Sequence, residues 1–168
     1  MSTFWNREAE LAQIRRHRGH GVFGYVTGRR RVGKTALLQE AVRRFGGLYH
    51  QAVEGTPQQQ LLHVAEEFRE ALPLFRDVIP KTWSEFFRLL SQVRLPKVLI
   101  FDEFPYWIHG DPTLPSILQK WIDHELPKQR TLLLVSGSSQ SMLYSQFLPH
   151  AAPLYGRAMW RLHLQPLS

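Results

Sequence analysis

The chain of 168 residues contains no cysteine, so disulfide bonds and metal sites built from thiolates are both excluded. It has no apolar run near the roughly 18 residues needed to cross a bilayer, and its first residues lack the apolar segment of a signal peptide. Acidic residues are fewer than basic ones, 14 against 21, which gives a net charge of +7. We therefore expect a cytoplasmic protein without a membrane segment, whose charge favours polyanions such as nucleotides or nucleic acid.

The order of apolar and amphipathic segments indicates the fold class. With 43% hydrophobic residues, no repeat and no biased tract, residues 1–168 are expected to form a single domain with a packed core. The predicted strands cover residues 22–26, 48–53, 98–101, 131–135 and 158–164. The predicted helices cover residues 7–18 with Asn6 as the N-cap, 34–45, 57–72, 82–93, 114–126 and 141–147. This alternation predicts an α/β fold with a mostly parallel sheet.

Residues 28–35 read Gly-Arg-Arg-Arg-Val-Gly-Lys-Thr and match the phosphate-binding pattern G-x-x-x-x-G-K-[ST]. A predicted strand precedes this loop and a predicted helix follows it, which favours the motif over a simple glycine-rich turn. In such a loop Lys34 reaches the β- and γ-phosphates and the Thr35 hydroxyl ligates Mg²⁺. The residues expected to bind the nucleotide here are Gly28, Arg29, Arg30, Arg31, Val32, Gly33, Lys34, Thr35 and Ala36.

Two carboxylates follow the apolar strand 98–101. At a strand tip, Asp102 would lie beside the Mg²⁺ held by Thr35, and Glu103 could orient or deprotonate an attacking water. An ordinary acidic turn is the alternative interpretation, but the phosphate loop upstream favours the catalytic one. A glutamate directly after the metal aspartate also favours hydrolysis over kinase-type transfer.

A third polar element, Ser-Gly-Ser-Ser at 136–139, follows the next apolar strand. A serine there could hydrogen-bond the γ-phosphate or the water, and either Ser136 or Ser138 could do so. The alternative is a simple Gly/Ser turn.

These elements resemble the prokaryotic, largely archaeal-type DEXX-box ATPases of the P-loop class, in the STAND/AAA+-related branch. The resemblance lies in residues 4–11 (Phe-Trp-Asn-Arg-Glu-Ala-Glu-Leu), 28–35, 99–104 (Leu-Ile-Phe-Asp-Glu-Phe), 136–139 and 153–157 (Pro-Leu-Tyr-Gly-Arg). It implies a three-layer sandwich around a five-stranded sheet of order 5-1-4-3-2. It also implies ATP and Mg²⁺ as the cofactors of an ATPase.

The resemblance further implies roles for residues outside the phosphate loop. Phe4 and Arg7 would lie near the adenine, and Arg157 would contact the γ-phosphate within one chain or across a subunit boundary of a self-associated form. From the residues alone, Arg7 belongs to an amphipathic helix and Arg157 is a surface or ion-paired arginine. The family continues into a helical lid, a winged-helix module and a C-terminal effector domain, so we expect this chain to be a short form or a fragment, with weak turnover.

Three functions are consistent with these observations. The first is Mg-dependent ATP binding and slow hydrolysis, and the second is a non-catalytic nucleotide-dependent regulatory switch. The third is a nucleic-acid-associated module, which the net charge favours. The basic cluster 15–18 at the end of the first helix is expected to be a solvated face or a complement to the helix dipole, with nucleic-acid contact as the alternative. A guanine-specificity run of the Asn/Thr-Lys-x-Asp type is missing, so adenine is preferred.

The remaining polar and aromatic residues carry weaker signals. The eight histidines are scattered, and we expect them to be solvated rather than to bind a metal. Tyr106 and Trp107, directly after Pro105, are expected to pack a loop, with a partner surface as the alternative.

Overall fold

A computed structural model describes residues 7–29, 31–138, 154, 156–158 and 160–166. Its strands are β1 (Phe23–Gly28), β2 (Gly47–Gln51), β3 (Val98–Asp102), β4 (Leu132–Ser138) and β5 (Trp160–Leu164). Its helices are α1 (Glu8–His17), α2 (Lys34–Phe45), α3 (Pro57–Phe68), α4 (Leu74–Asp77), α5 (Trp83–Leu90), α6 (Pro105–Gly110), α7 (Leu114–His124) and α8 (Leu126–Gln129).

The five strands form one sheet of order β2-β3-β4-β1-β5, and every neighbouring pair is parallel. Read from the other side, this is the expected order 5-1-4-3-2, which is confirmed. Because all strands run the same way, their carboxyl ends meet at one edge of the sheet and their amino ends at the opposite edge. Loops that follow strands therefore lie together at the carboxyl edge.

Successive residues of the central strands point into two separate cores, so the molecule has three layers. In β3, Val98 and Ile100 pack with α1 and α2, whereas Leu99 and Phe101 pack with α3, α5, α6 and α7. The core that includes Leu99 and Phe101 is strongly aromatic, and the ring centroids of Trp107 and Phe101 lie 4.8 Å apart. The predicted three-layer α/β sandwich is therefore confirmed.

Several local predictions need correction. The stretch after Glu103 is not a loop, because Pro105 begins α6 at a position where its missing N–H is tolerated. Helix 114–126 ends at His124 and α8 follows, since Pro127 has no N–H to continue the hydrogen-bond ladder. The stretch between the predicted helices 57–72 and 82–93 contains the short helix α4.

Other predictions concern burial and the ends of the chain. His50 in β2 is fully buried, so the expectation that the histidines are solvated is wrong for this residue. In β5 the side chains alternate, because Trp160, Leu162 and Leu164 are buried whereas Arg161 and His163 are exposed. Asn6 and the predicted helix 141–147 lie outside the described residues. Among the described helices, none is long and apolar enough to span a membrane.

Candidate active site

The loop between β1 and α2 curls tightly at the carboxyl edge of the sheet. A side chain at Gly28 would place its Cβ 2.8 Å from Val32 Cγ1 and 3.2 Å from Leu164 Cβ, so the loop or β5 would have to shift to admit it. Gly33 has a φ of +90°, a left-handed conformation that glycine adopts without strain. It caps α2, which begins at Lys34, and the unpaired N–H groups of the first helical turn remain available to an anion.

A cavity of about 360 Å³ lies over this end of α2. It is lined by Arg29, Arg31, Gly33, Lys34, Thr35, Ala36, Gln51, Glu103, Tyr106 and Ser138. Most of the residues predicted to bind the nucleotide are thus at one cavity, with Gly28 and Val32 supporting the loop beneath. Arg30 lies outside the described residues.

Asp102, at the end of β3, accepts hydrogen bonds from four side chains and is fully buried. Its Oδ1 accepts from Lys34 Nζ at 2.7 Å and from Ser136 Oγ. Its Oδ2 accepts from Thr35 Oγ1 at 2.7 Å and from Tyr49 Oη at 2.6 Å. The phosphate loop, β2 and β4 are therefore joined through one carboxylate.

The surroundings of Asp102 favour its charged form. Burial alone would raise the pKa of this carboxyl, but the Lys34 ammonium and hydrogen bonds from Lys34, Ser136 and Tyr49 hold it below its usual range. Burial and the bond to Asp102 raise the pKa of Tyr49, so the phenol stays protonated and donates. The result is a fixed carboxylate, an oxygen ligand of the type that Mg²⁺ prefers.

Glu103 follows Asp102 in a left-handed backbone conformation with a φ of +55°. This conformation costs about 1–2 kcal/mol for a non-glycine residue and is held here by backbone contacts. The Glu103 N–H donates to Asp102 Oδ1 at 3.0 Å, and the Phe104 N–H donates to the Ser136 carbonyl at 2.9 Å. The Glu103 side chain is 24% exposed, lines the cavity and accepts from Lys34 Nζ at 3.0 Å.

Both candidate serines lie inside β4 rather than in a turn after it. The strand continues because residues up to Ser138 pair with β1 as far as Gly28. Ser136 and Ser138 are two residues apart and share a face of the sheet, but only Ser138 lines the cavity. The Ser136 hydroxyl donates to Asp102, and a contact of either serine with a phosphate stays a prediction.

Arg7, predicted to lie near the adenine, is buried beneath the phosphate loop. Its guanidinium donates to the Val32 carbonyl at 2.8 Å and to the Gln165 carbonyl at 2.9 Å, and it lies 3.5 Å from Glu10. These contacts tie the phosphate loop to the chain that follows β5. Adenine contacts by Arg7 and Phe4 stay predictions, and Phe4 lies outside the described residues.

Arg157, predicted to reach the γ-phosphate, contacts α7. Its Nε donates to the two carboxylate oxygens of Asp123 at 2.9 and 3.0 Å. Within the described part of the chain, Arg157 is not among the residues that line the cavity. A contact with the γ-phosphate, in the same chain or across a subunit boundary, stays a prediction.

Three residues at the site were missed from the sequence. Gln51 and Tyr106 line the cavity, and Tyr49 binds Asp102. Gln51 ends β2 in register with Asp102, so a polar residue at the end of the second strand was an available signal. The buried Gln60 amide holds the Tyr106 carbonyl at 2.9 Å, a contact between α3 and α6 with no local signature in the sequence.

A parallel five-stranded sheet with a phosphate loop directly after β1 defines the P-loop NTPase fold. A family described as an ATPase domain predominantly from Archaea matches residues 4–168, and the chain belongs to this family. It is 31% identical over 167 residues to an uncharacterized protein of Methanocaldococcus jannaschii. That alignment covers 98% of this chain but 36% of the relative, so the chain spans about a third of the length of that protein.

Solved structures of archaeal proteins are similar in fold. The Walker-type ATPase of Pyrococcus abyssi has a TM-score of 0.67 at 19% identity, covering 100% of this chain and 55% of that chain. Cdc6p from Pyrobaculum aerophilum has a TM-score of 0.61 at 16% identity, covering 100% and 47%. The ORC2 protein of Aeropyrum pernix, solved as ADPNP-ADP complexes, has a TM-score of 0.59 at 18% identity, covering 98% and 48%.

Proposed function

We propose that the chain binds Mg-ATP and hydrolyses it slowly to ADP and phosphate. One observation carries the proposal: the buried carboxylate of Asp102 accepts hydrogen bonds from Lys34, Thr35 and Ser136, while Glu103 beside it lines the cavity. Phosphoryl transfer to water needs cations and N–H donors on the phosphates, oxygen ligands for the metal and a base for the water. Asp102 and Glu103 both lie within hydrogen-bond distance of the Lys34 ammonium, and Thr35 donates to Asp102. The N–H groups at the start of α2 lie at the same cavity.

The cations of the site bind the phosphates. Lys34 Nζ contacts Asp102 and Glu103, and a bound triphosphate competes with these carboxylates for the ammonium. Arg29 and Arg31 line the same cavity and add positive charge, while the first N–H groups of α2 donate hydrogen bonds to phosphate oxygens. When the triphosphate draws the Lys34 ammonium away from Glu103, the Glu103 carboxylate can accept a hydrogen bond from another donor.

Mg²⁺, when bound, neutralises phosphate charge and makes the terminal phosphorus more electrophilic. The residues that would hold it are Thr35, through its hydroxyl, and Asp102, directly or through a water. Both are hard oxygen donors, which fits this cation. Tyr49 and Ser136 keep the Asp102 carboxylate in one orientation through their hydrogen bonds.

Glu103 acts as the general base for the attacking water. The water forms a bond to the γ-phosphorus, its proton passes to Glu103, and the bond between the γ-phosphorus and the bridging oxygen breaks to leave ADP. Ser138 hydrogen-bonds the γ-phosphate from β4. The nucleotide complexes of the ORC2 protein support an adenine nucleotide in this fold. Arg157 would add its charge only from a second copy of the chain, or after leaving Asp123.

The test is Mg-dependent ATP binding and turnover of the chain and of Glu103→Gln, with Glu66→Gln as an exposed control. Loss of the base should lower turnover at least about 100-fold while ATP binding changes little. The control should match the unmodified chain in both measurements. Binding of ATP without any turnover by the unmodified chain would contradict hydrolysis and support a regulatory switch, and failure to bind ATP would contradict both.

A further inference from the structure

A second charged region lies at the amino edge of the sheet, opposite the cavity. Three connections meet there, and their backbones are joined by hydrogen bonds. The Lys97 carbonyl, just before β3, accepts from the N–H of Gly19 at 3.2 Å and from the N–H of Leu132 at 2.9 Å. Thr131 Oγ1 donates to the Pro96 carbonyl at 2.7 Å. The α1–β1, α5–β3 and α8–β4 connections thus form one fixed surface.

This surface contains a cleft of about 830 Å³. The Gln129 amide fixes one wall, because its Nε2 donates to the carbonyls of Leu90 and Val93 at 3.2 and 3.1 Å and its Oε1 accepts from the Leu95 N–H at 3.3 Å. The charged residues that line the cleft are Arg94, Lys97, Lys128, Arg130 and Glu125. Four cations therefore face a single carboxylate.

Most of this positive charge is not neutralised within the chain. Lys128 lies 3.8 Å from Glu125. Arg94, Lys97 and Arg130 are exposed, and among the described residues no carboxylate forms an ion pair with them. By contrast, Arg43 and Arg44 at the end of α2 are paired with Glu40.

Helix dipoles do not account for these cations. Basic residues in the last turn of a helix complement its negative end, which explains Arg15 and Arg16 in α1. Arg94 and Lys97 instead lie in the connection after α5, and Arg130 lies just past α8 with a left-handed φ of +53°. Three cations at a rigid cleft without an internal partner suggest an external anion.

We propose that this cleft binds the sugar–phosphate backbone of a nucleic acid. Guanidinium and ammonium groups pair with phosphate oxygens, and release of counterions from the phosphates drives such binding. The large apolar residues exposed in the described part of the chain, Val53, Leu62 and Ile79, do not line the cleft. None of the described residues that line the cleft is aromatic and its one leucine, Leu95, is buried, so contact through phosphates independent of sequence is the expected mode.

The experiment measures fluorescence polarisation of a labelled, random-sequence DNA duplex at increasing salt. The test variant is Arg94→Gln/Lys97→Gln, and the control is Arg69→Gln/Lys81→Gln, which removes the same number of charges from exposed positions outside the cleft. If both test residues contact phosphates, affinity at low salt falls about tenfold or more, and the slope of log K against log salt becomes shallower by about 2. The control changes affinity less than about twofold, because the net charge alone acts weakly.

Two further measurements keep the proposal falsifiable. The test variant should keep the ATP binding and the thermal unfolding of the unmodified chain, so that lost DNA binding cannot come from unfolding. Arg130→Asn removes a third cation at a backbone conformation that asparagine tolerates, and it should weaken binding in the same direction. Absence of DNA binding at low salt, or equal loss in the test and control variants, would overturn the proposal. Binding of phosphatidylserine vesicles without binding of the duplex would assign the cleft to a membrane surface instead.

Discussion

The two edges of the sheet hold lysines in opposite environments. At the carboxyl edge Lys34 is 6% exposed and its ammonium contacts Asp102 at 2.7 Å and Glu103 at 3.0 Å. At the amino edge Lys97 is exposed, its backbone carbonyl accepts two hydrogen bonds, and no carboxylate of the described residues pairs with its ammonium. The same residue type is thus part of a buried charge network in one place and an unpaired surface cation in the other.

This difference follows from how much water each charge has lost. A buried charge needs a partner, because its desolvation is otherwise uncompensated, whereas an exposed cation keeps its hydration. The carboxyl edge should therefore be sensitive to single substitutions, both in stability and in nucleotide chemistry. The amino edge should tolerate loss of charge and respond only in binding to anions.

The largest difference in the free energy of unfolding is expected between the variants Lys34→Ala and Lys97→Ala. Lys34→Ala leaves Asp102 buried without its cation and should lower the free energy of unfolding by about 3 kcal/mol in the absence of nucleotide. It should also abolish ATP binding. Lys97→Ala should stay within about 0.5 kcal/mol of the unmodified chain. Urea unfolding of both variants measures the comparison, and similar losses of stability would contradict it.

The second prediction concerns the loss of folding stability in acid, to which the buried His50 near the carboxyl edge should contribute most. Burial and the neighbouring His63 lower the pKa of His50 to about 3, although Glu67 Oε1 lies 3.3 Å from its Nδ1. The unfolded chain binds the proton near pH 6.5, so the stability from the neutral ring is full above that pH. It is lost as the pH falls toward 3, by up to about 1.4 kcal/mol per pH unit.

Urea unfolding between about pH 7 and pH 5 measures this loss, which should reach about 2 kcal/mol. His50→Phe removes the titrating ring and should flatten the pH dependence. His20→Phe, at the exposed amino edge, is the matched control and should keep the dependence of the unmodified chain. A flat profile in the unmodified chain would show that His50 accepts its proton without unfolding.

The smallest expected change in stability comes from removing a single hydroxyl group, and the chain offers one such group at each edge. Tyr49→Phe removes a donor to the charged Asp102 carboxylate, and Thr131→Val removes a donor to the neutral Pro96 carbonyl. Each substitution should lower the free energy of unfolding by about 1 kcal/mol, the usual contribution of one hydrogen bond. The loss in Tyr49→Phe stays this small because Thr35 still donates to the same Asp102 oxygen. Only Tyr49→Phe should raise the Mg²⁺ concentration for half-maximal ATP turnover, by severalfold, with little change in kcat. Equal Mg²⁺ dependence in both variants would show that Tyr49 does not position Asp102.

Prediction from the sequence was most successful in placing two short motifs in the fold. The phosphate loop and the Asp102–Glu103 pair each occupy one short stretch, and the requirement for a strand before them fixes where they lie in the fold. The errors arose where local patterns were ambiguous. A proline followed by aromatic residues fits a loop or the first turn of a helix, and only packing against the aromatic core favours α6.

What the sequence by itself determined is the five strands, the longer helices among the described residues, the parallel arrangement of the strands and the motifs at the carboxyl edge, because spacing and periodicity along the chain carry that information. Only the tertiary structure decided which distant side chains meet. It paired Tyr49 with Asp102 and Arg157 with Asp123, and it brought Arg94, Lys97 and Arg130 to one cleft. Such contacts depend on strand register, on helix packing and on the direction of each side chain across the sheet, which no short stretch of sequence specifies.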